Sequence, residues 1–213
     1  MTLKLRAARK GDEAEFYRIK KNLPMPSAAI ETARGGFLLG TNVETYRFFI
    51  ENAFVNVLEK AGEIVGFAVV LPDALLRISD LWMRKNEIDW ADGEPTDLIE
   101  KQLCYFEQLA VLPDTKYRFY GVSLALATLR QAFETHEAMF ATTVVKPVCN
   151  RASVPLLESV GGQRVGCVNE YYPEFGDLVS AIYLLKREGF TASLAKHPLK
   201  AKVFQQIGSL SEF

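Results

Sequence analysis

The stretch from Leu103 to Leu112 is a long apolar run that ends at Pro113, and after a polar interval it gives way to Val122, Leu126, Leu129 and Phe133, spaced by four, three and four residues. The first pattern is that of a buried strand; the second puts four apolar side chains on one face of a helix. A strand and a helix joined this way are stable only where a sheet receives the strand and the helix packs back on it. The rest of the chain must therefore supply further strands.

It does so in order. Leu3 to Ala7 reads as a strand, and a helix starts at Asp12, where Asp12 and Glu15 have capping-box spacing and Phe16, Ile19 and Leu23 form the stripe. Thr41 and Glu44 repeat that spacing ahead of a second helical face made of Tyr46, Phe49, Ile50 and Ala53. Phe54 to Glu59 and Ile64 to Leu71 flank the turn Lys60-Ala61-Gly62-Glu63, which makes a hairpin. Residues 72–101 are irregular and acidic, an insertion with a helix near Leu75 to Trp82. Met139 to Val145 reads as a strand, Ser153 to Val160 as a short helix, and Gln163 to Asn169 and Leu178 to Lys186 as the closing strands. The order implies an α/β sandwich in one domain, residues 1–188, followed by a tail, 189–213. In the tail, Pro198 stands at a helix start, with Leu199, Val203, Phe204 and Ile207 as a stripe that either caps the core or meets a second copy of the chain.

Charge narrows the function. Lys and Arg number 25 against 26 Asp and Glu in 213 residues, so no basic field recruits nucleic acid or an anionic membrane surface. The N-terminal residues lack a signal-like apolar run and no stretch has the length of a membrane span, which points to the cytoplasm. Cys104, Cys149 and Cys167 have no paired spacing and read as free thiols; His136 and His197 stand apart from other ligands, so no metal site is expected. The chain has neither a Walker sequence nor a strand-following Gly-x-Gly-x-x-Gly.

The chemistry concentrates in Glu107-Gln108-Leu109-Ala110-Val111-Leu112-Pro113 and in Tyr117-Arg118-Phe119-Tyr120-Gly121-Val122-Ser123. A strand running into a helix N-terminus presents unpaired N–H groups at the positive end of the helix dipole, a natural seat for a diphosphate. This arrangement resembles the coenzyme A loop of the Gcn5-related N-acetyltransferase (GNAT) superfamily: Arg or Gln, two residues, Gly, one residue, then Gly or Ala, positions held here by Arg118, Gly121 and Ser123. Asn150-Arg151-Ala152-Ser153, followed by Leu156 to Gly161, resembles the family's later cofactor segment, and the likeness spans about Leu3 to Lys186.

The resemblance implies a central mixed, mostly antiparallel sheet flanked by helices, and transfer of an acetyl group from acetyl-CoA to a primary amine. It assigns Leu109, Ala110 and Val111 to the pantetheine arm, the Leu109 N–H to the thioester carbonyl, Arg118, Phe119, Tyr120, Gly121, Val122 and Ser123 to the diphosphate, and Asn150 either to the cofactor or to the cap of the next helix. Glu107 is the candidate base, since alternation along a strand places Tyr105, Glu107, Leu109 and Val111 on one side. Four positions depart from the pattern: Ser123, Phe119 where Gly is frequent, Gly162 where Phe is common, and Leu157 where a tyrosine often serves as general acid. The acid is then Tyr171, Tyr172 or solvent. The acids Glu87, Asp89, Asp92, Glu94, Asp97 and Glu100 of the insertion suit a cationic acceptor, a small molecule or a peptide amine. Two further readings stay open: a catalytically silent acyl-CoA-binding module of the same fold, and a homodimer.

Overall fold

The computed structural model describes residues 3–26, 32, 36–93 and 95–199, without the side chains of residues 97, 115, 116, 118 and 119. Strand β1 (Leu3–Ala7) pairs antiparallel with β2 (Phe54–Lys60), which turns into β3 (Glu63–Leu71). The turn is the expected one: Ala61 and Gly62 both have positive φ, 52° and 85°, as a two-residue hairpin loop needs. Helix α1 (Glu13–Lys21) and α2 (Val43–Asn52) lie between β1 and β2 in the chain, then β3 leads through α3 (Asp73–Arg77), α4 (Asp80–Met83) and the short strand β4 (Asp89–Trp90) to β5 (Leu103–Val111). Helix α5 (Thr115–Phe133), β6 (Ala138–Lys146), α6 (Val154–Ser159), β7 (Gln163–Tyr172), β8 (Gly176–Lys186) and α7 (Arg187–Lys196) complete it.

The eight described strands form one sheet in the order β1-β2-β3-β5-β6-β8-β7-β4, in which β5 and β6 are the parallel pair and the other neighbours are antiparallel. Its two faces carry separate cores. One, around Leu124, Leu126, Leu129, Met139 and Leu185, is covered by α5, α6 and α7; the other, around Phe16, Tyr46, Phe67 and Leu76, by α1, α2 and α3. Phe16 stacks on Phe67 at 4.4 Å between ring centres and meets Tyr46 edge-on, which fixes both helices against β3.

Local expectations are corrected in several places. Asp12 stands at the N-cap of α1 without capping it, because its carboxylate is taken by Arg6 at 2.7 Å and by the Arg9 N–H at 2.9 Å. The cap of α2 is Asn42, whose side chain accepts from the Thr45 N–H, one residue later than the Thr41 spacing implies. The insertion holds two short helices instead of one and adds edge strand β4, two residues long, which pairs with β7. Helix α7 begins at Arg187, directly after β8, and buries Phe190 and Leu194. Leu199 packs partly buried on that core, while Val203, Phe204 and Ile207 lie outside the described residues. The largest displacement is in α5, which starts at Thr115; the segment from Tyr117 to Ser123 is helix, not loop.

Candidate active site

The sheet opens at its centre. Strands β5 and β6 are paired only from Leu103 and Ala138 to Phe106 and Ala141, although β5 continues to Val111 and β6 to Lys146. Past that apex the β6-facing groups of β5 have no strand opposite them. The Leu112 N–H donates to the Val65 carbonyl on the β3 side at 2.8 Å; alternation sends the N–H groups of Ala110 and Gln108 the same way and those of Leu109 and Val111 into the opening. Gly66 permits the close β3–β5 contact, since a Cβ there would stand 2.7 Å from Val111 Cγ1 and 2.8 Å from the Ala110 carbonyl.

Glu107 sits at an irregularity that the sequence did not disclose. Val69 pairs with Gln108 and Val70 with Phe106, so Glu107 is the extra residue of a β-bulge. One inserted residue inverts the alternation on either side of it. Tyr105 and Ala110 belong to the core under α1 and α2, whereas Phe106, Leu109 and Val111 face α5. Tyr105 thus does not share a face with Leu109 and Val111. Gln108, beside the bulge, is fixed by two bonds: Tyr46 donates to its Oε1 at 2.8 Å and its Nε2 donates to Thr41 Oγ1 at 2.7 Å.

The opening is part of a cleft of about 860 Å³ that passes from α5 and α6 to the α1–α4 side. Glu107, Glu170 and Tyr172 line it together. Burial, and then the negative charge of Glu170, push the Glu107 carboxyl from 4.5 to about 7. Burial also raises Glu170, opposed by the hydrogen bond from Ser180. Burial with the charges of Glu170 and Glu107 raises Tyr172 to about 12, so it stays protonated. Tyr105 and Thr142 share a hydrogen bond of 2.6 Å in the same wall. Tyr171, its neighbour on β7, is 69% exposed and does not line the cleft.

On the α5–α6 side the cleft reaches Gly121, Val122, Asn150 and Leu157. Asn150 is 8% exposed and its Oδ1 has no hydrogen-bond partner among the described residues, while α6 starts at Val154 with Ser153 at the N-cap position and Pro155 in the first turn. Asn150 caps no helix and remains available. Gly121 serves packing: a Cβ there would meet Val111 Cγ1 at 3.2 Å, so α5 rests close on β5. Ser123 is fully buried and Tyr120 packs against the α5-side core; neither lines the cleft. The side chains of Arg118 and Phe119 lie outside the described residues. Because α5 begins at Thr115, the N–H groups from Phe119 through Ser123 are used within the helix and the Tyr117 N–H donates to the Asp114 carbonyl at 2.9 Å, while the main chain of Thr115 and Lys116 stands at the helix's positive end. Leu157 is buried at the cleft wall, and Gly162 admits no side chain there, with a Cβ 2.7 Å from the Leu157 carbonyl.

The α1–α4 side is apolar, with Leu38, Phe48, Ile78 and Leu81 in its wall. None of Glu87, Asp89, Asp92 and Glu100 lines it; Glu87 is paired with Arg84 at 2.7 Å. Glu94 and the side chain of Asp97 lie outside the described residues. Asp80 is the insertion's acid at the cleft. Sequence reasoning missed Asp80, on α4, and Glu170, Thr142 and Thr143, whose signal is the register of strands distant in the chain. His136 is structural: its Nε2 accepts from the Asp73 N–H at 3.3 Å and its Nδ1 lies 2.9 Å from the Ala132 carbonyl. No cluster of metal ligands occurs among the described residues, and none of their helices is long and apolar enough to cross a membrane.

No family model and no curated protein matches the sequence. Solved structures do match in three dimensions. Arabidopsis thaliana NAA60, in complex with a bisubstrate analogue, superposes with a TM-score of 0.60 at 12% identity over 87% of this chain and 98% of that one. The fold is that of the Gcn5-related N-acetyltransferases. A ribosomal-protein-alanine N-acetyltransferase from Brucella melitensis has a TM-score of 0.57 at 17% identity, covering 85% of this chain and 98% of its own. An agmatine N-acetyltransferase gives 0.56 at 13%, over 86% and 99%. NAA60 has also been solved with acetyl-CoA. The bulged, splayed centre of the sheet is where this N-acetyltransferase fold carries its cleft here.

Proposed function

We propose that the chain is an N-acetyltransferase that transfers an acetyl group from acetyl-CoA to a primary amine by direct attack on the thioester, with Glu107 as proton acceptor. The observation that carries this reading is the juxtaposition at the bulge: the Leu109 and Val111 N–H groups face an open strand edge, and beside them stands a carboxyl held at about 7. The neighbours in fold that act on amines lend it further support.

The residues present suit the carrier. The open edge of β5 offers hydrogen bonds to an extended amide-containing arm, the unpartnered Asn150 Oδ1 offers an acceptor from the opposite bank, and the first turn of α5 offers main-chain donors to a diphosphate. Bound acetyl-CoA supplies an acyl carbon activated as a thioester. The Leu109 N–H is fixed in the sheet and oriented toward the opening, so it can hold an acyl oxygen as negative charge grows on it. Glu107, when ionised, takes a proton from the acceptor's ammonium before attack, which frees the nitrogen lone pair for the thioester carbon. Tyr172 lines the cleft, is protonated at neutral pH and is able to return a proton, whereas Leu157 cannot. Glu107 and Glu170 together favour a cationic acceptor, while Asp80 is paired with Arg84 at 3.2 Å.

A second reading, a silent module that binds acyl-CoA without turnover, is favoured by one observation, the absence of a hydroxyl at Leu157. Thiol release from acetyl-CoA, measured across a panel of amines and peptide N-termini with the parent and Glu107→Gln, separates the two. Turnover in the parent that collapses in Glu107→Gln supports the enzyme; binding without any turnover supports the module.

A further inference from the structure

Thr143 is 4% exposed, lines the cleft, and its Oγ1 has no hydrogen-bond partner among the described residues. A buried hydroxyl without a partner is costly, and one that lines a cleft can be paired by a ligand that enters it. Its position says which part of a ligand. Pairing between β5 and β6 ends at Phe106 and Ala141, and Thr143 is two residues beyond that apex on β6. Counting the same distance along β5, with the bulged Glu107 included, reaches Gln108 and Leu109. Met139, Ala141 and Val145 face the α5-side core, so alternation puts Thr143 on that face too, with Leu157. The opening widens from this apex toward Val111 and the first turn of α5, where a diphosphate would be held. A carrier anchored there by its phosphates has its acyl end at the apex.

We infer that the Thr143 hydroxyl is a hydrogen-bonding contact for the thioester end of the acyl carrier, placed across the opening from the Leu109 N–H. The inference rests on the acetyl-CoA reading and adds to it a side-chain contact on the β6 bank, on the same face as Leu157, which has no hydroxyl to offer. The hydroxyl donates a hydrogen bond and no proton leaves it.

The test is calorimetric titration of acetyl-CoA into the parent, Thr143→Val and Thr143→Ser, with adenosine 3′,5′-bisphosphate as a second probe that has no pantetheine arm and cannot reach the apex. Thr143→Val removes the hydroxyl at nearly constant shape and is expected to weaken acetyl-CoA binding by about 5- to 10-fold; Thr143→Ser keeps it and should stay within about 2-fold of the parent. Bisphosphate binding should be unchanged in both. The ligand-free Thr143→Val protein should melt higher by about 2–4 °C, because a buried unpaired hydroxyl is gone; should it fail to fold, Thr143→Ala takes its place in the titration. Parent-like binding by the hydroxyl-free variant overturns the inference, as does equal weakening in Thr143→Ser or an equal loss for the bisphosphate. A parent that binds neither probe contradicts the acetyltransferase reading itself.

Discussion

Glu107 and Glu170 face one cleft from strands β5 and β7, three places apart in the sheet order, and the charge of Glu170 adds to burial in holding the Glu107 carboxyl at about 7. The bulge makes this possible, because it takes Glu107 out of the ladder with β3 and lets it stand at the mouth of the opening. A carboxyl poised near neutrality accepts a proton without being ionised so strongly that it holds a cationic acceptor unreactive.

Glu107→Gln is expected to lower kcat/KM by roughly 100-fold or more while acetyl-CoA binding stays within a few-fold of the parent. In the parent, kcat/KM should rise with pH through about 7 as Glu107 loses its proton. Steady-state thiol release from pH 5.5 to 9, beside calorimetry, checks both.

Glu170→Gln removes a neighbouring negative charge, so the Glu107 anion becomes easier to form and its pKa falls. The acidic limb of the pH profile should move down by about half a unit or more, with activity retained at pH 8. A limb that stays in place separates the two carboxylates.

The raised Glu107 carboxyl also has a cost in stability, with a definite sign. Its folded pKa, about 7, lies above the ordinary 4.5, so the native state binds the extra proton between those values. The contribution is fully present below pH 4.5 and is lost as pH rises through 7. Glu107→Gln should therefore be more stable than the parent at pH 8 by about 1–3 kcal/mol, and the gap should close toward pH 4. Urea unfolding at the two pH values measures it.

Gly66→Ala should destabilise the protein by about 1–3 kcal/mol and weaken acetyl-CoA binding, since its Cβ would press on Val111 and on the Ala110 carbonyl and disturb the strand that lines the opening. Thermal melting and calorimetry on the same sample check it.

Much of this was legible in the sequence, for reasons that are local. The hairpin at Ala61-Gly62, the strand from Leu103 and the stripe from Val122 to Phe133 each declare themselves within a short window. Glu107 and Asn150, which line the cleft, stood out because they flank recognisable segments. What the sequence hid was geometry set by partners far along the chain. A bulge is a mismatch between β3 and β5, so it leaves no mark in β5 alone, and the parity of Tyr105 was misread for that reason. Glu170 and Thr143 come to the cleft only through the β6-β8-β7 order. Tyr171 and Tyr172 are neighbours in sequence, and only the register with Asp177 and Gly176 tells which one turns inward. The early start of α5 escaped notice because Pro113, Asp114 and the polar residues after them read equally well as a loop or as a first turn.

The central claim is that the main chain of β5 beyond the bulge grips an acyl carrier. Amide hydrogen exchange followed by NMR tests it residue by residue: without ligand, the Leu109 and Val111 amides should exchange faster than those of Gln108 and Ala110, which are bonded to β3. Saturation with acetyl-CoA should slow Leu109 and Val111 selectively. Unchanged exchange and unshifted resonances at those two amides, in the presence of millimolar acetyl-CoA, would contradict the account.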